Sequence, residues 1–105
     1  EPTTGLDAIE QTAMMDLLAR LNREGHTLII VTHALDAAAA YARRIVVMDE
    51  GRIIADGPAR KIFHDAETLA QSGLVAPPPI RLGGRLKIPA LTTAELASAL
   101  ERRPQ

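Results

Sequence analysis

The chain has 105 residues, with 12 basic side chains against 13 acidic ones and no cysteine. That length allows one small domain, which when compact buries roughly two-thirds of its chain surface. Balanced charge argues against nucleic acid or an anionic membrane as partner, and the lack of cysteine excludes disulfides and thiolate metal sites, as suits a cytosolic protein. The basic pairs Arg43-Arg44, Arg60-Lys61 and Arg102-Arg103 are scattered rather than massed. The longest apolar run, Ala37 to Ala42, is far short of the ~20 residues that span a bilayer. No charged-then-apolar leader and no initiator Met open the sequence, so a start in mid-protein is expected.

Residues 8–24 predict an amphipathic helix. Ile9, Ala13, Leu17 and Leu21 recur every four positions, Met14 and Leu18 widen the stripe, and Glu10, Asp16, Arg20 and Arg23 face outward. Asp7 and Glu10 have capping-box spacing, and Gly25 stands where a helix-ending glycine belongs. Thr27 to Val31 is β-branched and apolar without alternation, which predicts a strand covered on both faces, as in a parallel α/β sheet. An alanine-rich second helix over about 34–43 is expected to pack closely on a neighbour.

Ile45-Val46-Val47-Met48-Asp49 and Arg52-Ile53-Ile54-Ala55-Asp56 flank Glu50-Gly51, a two-residue hairpin signal. Gly57-Pro58 ends the hairpin and starts a short helix through Phe63. Residues 66–73 predict a helix, and Pro77-Pro78-Pro79 a stiff extended spacer. Thr92 or Thr93 opens a final helix ending near Arg103. The fold class is α/β, divided into a core piece over 1–74 and a proline spacer with a helical extension over 75–105.

His33 is the first candidate for chemistry. It follows a predicted strand, and ligands of open parallel sheets sit outside the carboxyl ends of strands. An imidazole can donate to a phosphate oxygen whether neutral or charged; the alternative is a local structural role beside Thr32 or Asp36. Asp7 is an N-cap by residue type, Gly5 gives its loop freedom, and Asp36 is a dipole partner for the second helix. His26 and His64 have no second histidine at ligand spacing, so both are expected at the surface and no metal site is predicted. Tyr41 and Phe63 are expected to anchor packing; two aromatics make a poor base-stacking platform.

The segment Glu1-Pro2-Thr3-Thr4-Gly5-Leu6-Asp7, followed 32 positions after Glu1 by His33 at the end of Leu28-Ile29-Ile30-Val31-Thr32, resembles the back half of an ABC-type ATPase. In that family the glutamate after the Walker B aspartate heads an EPT-x-x-LD segment, and a strand about thirty residues later ends in histidine. The resemblance implies the C-terminal part of a P-loop NTPase core with a β-hairpin, followed by a small helical tail. It implies that Glu1 orients the water attacking the γ-phosphate, that His33 senses that phosphate, and that Gly5, Leu6 and Asp7 form the D-loop facing a second ATPase subunit. The histidine strand would lie between the Walker A and Walker B strands.

The sequence contains no G-x-x-x-x-G-K-[ST], no LSGGQ-type signature, no Q-loop glutamine and no Walker B aspartate before Glu1. Removing one electrostatic partner from such a site costs on the order of 10²- to 10³-fold in rate. The chain alone is therefore expected to leave ATP intact and to bind no cofactor tightly, although ATP and Mg are implied for the parent protein. A both-faces-apolar strand without neighbours also predicts poor folding in isolation.

Farther on, Ile45 to Ile53 is similar to the family's C-terminal hairpin. Gly73-Leu74, Pro77-Pro78-Pro79-Ile80-Arg81-Leu82 and Leu91-Thr92-Thr93-Ala94-Glu95-Leu96 are similar to the extension of energy-coupling-factor and cobalt-type importers. That resemblance implies an ATPase subunit driving uptake of metal ions or vitamins, bound to a transmembrane permease and a second ATPase subunit at the cytoplasmic face of the plasma membrane, with no nucleic acid. The alternatives are a non-catalytic partner-binding module and a piece of a soluble ABC ATPase without transport.

Overall fold

The computed structural model describes residues 2 and 4–102. Among them are six helices and one two-stranded antiparallel sheet, an α/β arrangement. Helix α1 is Ala8–Arg23. It begins where the Oδ1 of Asp7 accepts the Glu10 amide at 2.8 Å, which satisfies one of the donors a helix start leaves orphaned. It ends in a Schellman turn: His26 N–H donates to the Leu21 carbonyl and Gly25 N–H to that of Asn22, each at 3.1 Å.

Residues 27–31, expected to form a covered strand, are in no strand. Ile29 is 91% exposed and Val31 77%. A strand exists only against a neighbour, and the one ladder among the described residues is the hairpin farther on. The apolar sequence thus supplies the faces of a strand but finds no edge to pair with among the described residues.

Helix α2, Leu35–Tyr41, follows with Ala39 buried in the core and Ala38 packed against it, while Ala40 is exposed. Strands β1 (Arg44–Asp49) and β2 (Arg52–Pro58) then pair around Glu50 and Gly51, whose φ angles of 49° and 76° are the doubly left-handed geometry of a type I′ turn. The register runs Val47↔Ala55 and then Met48↔Ile53, so Ile54 is the extra residue of a β-bulge. Ile45 and Val47 point inward while Val46 and Met48 remain exposed. Arg44 and Asp56 pair across the strands, Nε donating to Oδ1 at 2.6 Å.

Short helices α3 (Ala59–Phe63) and α4 (Ala66–Gln71) follow, α4 capped by Asp65 and closed by a second Schellman turn at Gly73 and Leu74. The expected extended proline spacer is instead the start of a helix, α5, Pro78–Arg85. Pro77 is its N-cap, and Pro78 and Pro79 occupy positions whose N–H groups would have no intrahelical acceptor, so the missing donors cost nothing there. Helix α5 ends in a third Schellman turn, with Ile88 N–H donating to the Gly83 carbonyl at 2.7 Å and Lys87 held at φ 59°. Helix α6, Thr93–Glu101, is capped by Thr92, whose Oγ1 accepts the Glu95 amide at 3.1 Å.

The core joins the middle of the chain to its C-terminal part. Ala39, Ala59, Phe63, Ile80 and Leu91 form one buried cluster, with Leu35, Ala38, Ile45 and Ala76 packed against it. Phe63 anchors packing as its residue type predicts; Tyr41 does not, lying 36% exposed with its hydroxyl on Asp16. His64, expected at the surface, is half-buried. Its Nε2 lies 2.7 Å from the Ala90 carbonyl oxygen, which can only accept, so Nε2 carries the proton. Arg60 strengthens the same seam, donating to the Pro89 carbonyl and, at 2.8 Å, to Glu95. The radius of gyration is 14.5 Å, against about 13 Å for a compact 100-residue domain.

Candidate functional site

The sequence points to two places, the loop before α1 and the loop before α2. Glu1 lies outside the described residues. Gly5 adopts φ 80°, a conformation that side-chain-bearing residues resist, and Leu6 follows it with its carbonyl accepting from the Gln11 side chain at 3.0 Å. Asp7 then closes the loop onto the helix. The Glu10 amide bonded to its carboxylate holds Asp7 below the ordinary carboxylate range, so it is an anion at neutral pH. Its oxygens remain exposed although one of them serves the cap.

His33 sits on an exposed bend directly before α2. The Thr32 hydroxyl oxygen accepts the Ala34 amide at 2.9 Å, a local turn that brackets His33 at the entry to the helix. The N-cap residue of α2 is Ala34, which makes no side-chain cap bond. Asp36 lies in the first helical turn, where an acidic side chain complements the helix dipole.

Asp7 and His33 are not bonded to one another. What joins their elements is farther along: the Tyr41 hydroxyl, at the end of α2, donates to Oδ1 of Asp16 in the middle of α1 at 2.7 Å. That bond raises the Tyr41 pKa, because ionising the phenol would remove the donor and set two anions face to face. No motif announces this pair; the two residues stand 25 positions apart.

Among the described residues no group of His, Asp and Glu could hold a metal ion, and no helix is long and apolar enough to cross a membrane. The sequence offers no glycine-rich nest of amides and no P-loop lysine; the two loops supply an acidic side chain and an imidazole.

No family model matches the chain. A protein of Caldanaerobacter subterraneus provisionally named an ABC transporter ATP-binding protein is 41% identical over 102 residues, 97% of this chain and 18% of the relative. An energy-coupling factor transporter ATP-binding protein of Methanococcus maripaludis is 44% identical over 77 residues, 73% of this chain and 28% of the relative. Another energy-coupling factor transporter ATP-binding protein, from Geobacillus kaustophilus, is 37% identical over 111 aligned residues, 97% of this chain and 38% of the relative. The chain thus spans between 18% and 38% of the length of these relatives.

Proposed function

We propose, from a chain homologous along almost its whole length to ABC transporter ATP-binding proteins, that it is the C-terminal segment of the ATP-binding subunit of an energy-coupling-factor importer for metal ions or vitamins. In this reading Glu1 orients the attacking water and His33 contacts the γ-phosphate of ATP. Gly5, Leu6 and Asp7 reach toward a second ATPase subunit across the nucleotide. Phosphoryl transfer asks for an in-line nucleophile and compensation of charge on the phosphoryl oxygens, and a carboxylate with an imidazole meets part of each demand. Mg and the phosphate cradle would come from residues outside this sequence. The subunit would work at the cytoplasmic face of the plasma membrane, bound to a transmembrane permease.

The observation that carries the reading is the register of EPT-x-x-LD with His33 in a chain matched over 97% of its length, at 37% identity, by a named energy-coupling factor transporter ATP-binding protein. The test compares the isolated chain with the full-length subunit. The chain alone is expected to leave ATP intact, whereas the full-length subunit hydrolyses Mg-ATP and loses about 10²-fold or more in rate on Glu1→Gln or His33→Ala. Turnover by the isolated chain, or an unaffected Glu1→Gln subunit, would refute it.

A further inference from the structure

Helix α1 carries Asp7 at its start, and α2 carries His33 immediately before its start. Helix α2 is fixed to the core by Ala39, with Leu35 and Ala38 packed against the same cluster. Helix α1 contributes no side chain to that cluster. Ile9 is 83% exposed and Leu17 40%, Met15 is its one buried side chain, and α2 is the helix it packs against. The direction in which α1 delivers the Asp7 loop therefore depends on how it is held to α2.

We propose that the hydrogen bond from Tyr41 to Asp16 is that hold, and that Tyr41 and Asp16 are positioning residues that set the Asp7 loop relative to His33. The inference rests on the functional reading above. Three features support it. The bond is a directional contact of 2.7 Å between a phenol and a carboxylate, stronger than a neutral pair. Its acceptor lies nine positions beyond Asp7, about 13 Å along a rigid helix, so a small pivot at Asp16 becomes a large displacement of the loop. Its donor is the last residue of α2, seven residues long, so the link reaches His33 through a single short rod. Neither residue is placed to touch nucleotide; both act through the helices that carry those that do.

The experiment uses the full-length subunit with its dimer partner. Turnover is measured per bound nucleotide, so that partial unfolding does not register as lost activity. Tyr41→Phe and Asp16→Ala are each expected to lower kcat about fivefold with KM for ATP unchanged, the effect of one hydrogen bond missing from the assembled transition state. Tyr41→Phe combined with Asp16→Ala should be no worse than either alone. Asp16→Asn retains a neutral acceptor oxygen and should recover most of the rate that Asp16→Ala loses. An active subunit in which Tyr41→Phe turns over normally per bound nucleotide, or in which Asp16→Asn is as slow as Asp16→Ala, overturns the inference and leaves the functional reading standing. A wild-type subunit that does not hydrolyse ATP ends both.

Discussion

The carbonyl oxygen of Ile88 stands over Gly83 so closely that a β-carbon there would sit 2.6 Å from it. This contact makes the turn after α5: Ile88 folds back over the helix end, and its amide reaches the Gly83 carbonyl. The adjacent Gly84 is different, since a β-carbon there would meet nothing closer than the His64 Nδ1 at 3.9 Å. Gly83→Ala should therefore destabilise by about 1–3 kcal/mol, as overpacking against backbone does. Gly84→Ala should gain about 0.5–1 kcal/mol from helix propensity. Urea unfolding of the two variants decides it; effects of the same sign would show that the turn does not press on Gly83.

The cap of α6 gives a second measurement. Thr92 Oγ1 accepts the Glu95 amide, so Thr92→Ala should cost about 1 kcal/mol while Thr92→Ser stays near neutral. Thermal melting followed by circular dichroism reports both, and a Thr92→Ala protein as stable as the parent would count against the cap.

Acid should weaken the local structure in a defined window. Asp7 is held below the ordinary 3.8 by the Glu10 amide, Asp56 by Arg44, and Asp65 first by the Thr68 hydroxyl and then by its amide. A depressed folded pKa contributes stability above the unfolded value and loses it as pH falls through the folded one. Helical signal should thus hold from neutrality down to pH 3.8 and decline below it. Asp65→Asn, which keeps an acceptor but cannot titrate, should blunt the decline. Loss of signal already at neutral pH would contradict this account.

Alkaline titration isolates one side chain, because Tyr41 is the single tyrosine and there is no tryptophan. Its bond to Asp16 raises the pKa above 10.0. Stability from this contact is present below that value and disappears as pH rises through the folded pKa. Phenolate absorbance should emerge later than for free tyrosine and return to the ordinary range in Asp16→Ala. A normal titration in the parent chain would mean the bond is not maintained in solution.

Those features are legible in the sequence that depend on a few neighbouring residues. Asp7 with Glu10, Glu50 with Gly51, and Thr92 as cap each place a donor, an acceptor or a left-handed φ within three positions, and the structure realises all of them. The strand over 27–31 was legible only in its faces; its existence depends on distant partners that no local pattern supplies. The prolines mislead because one residue type serves both an extended spacer and the first turn of a helix, and the packing of Ile80 and Leu91 on Phe63 favours the helix. Tyr41 with Asp16 and His64 with Ala90 join residues 25 and 26 positions apart. Their chemistry is generic until the fold brings them together.

The open stretch Leu28–Val31 has a consequence for handling the polypeptide. Four consecutive apolar side chains, with no strand beside them among the described residues, offer the same backbone to every passing copy. Crowding, more than heat, should then govern how long a purified sample stays monodisperse, and a charge introduced at Ile29 should act as a gatekeeper against self-association.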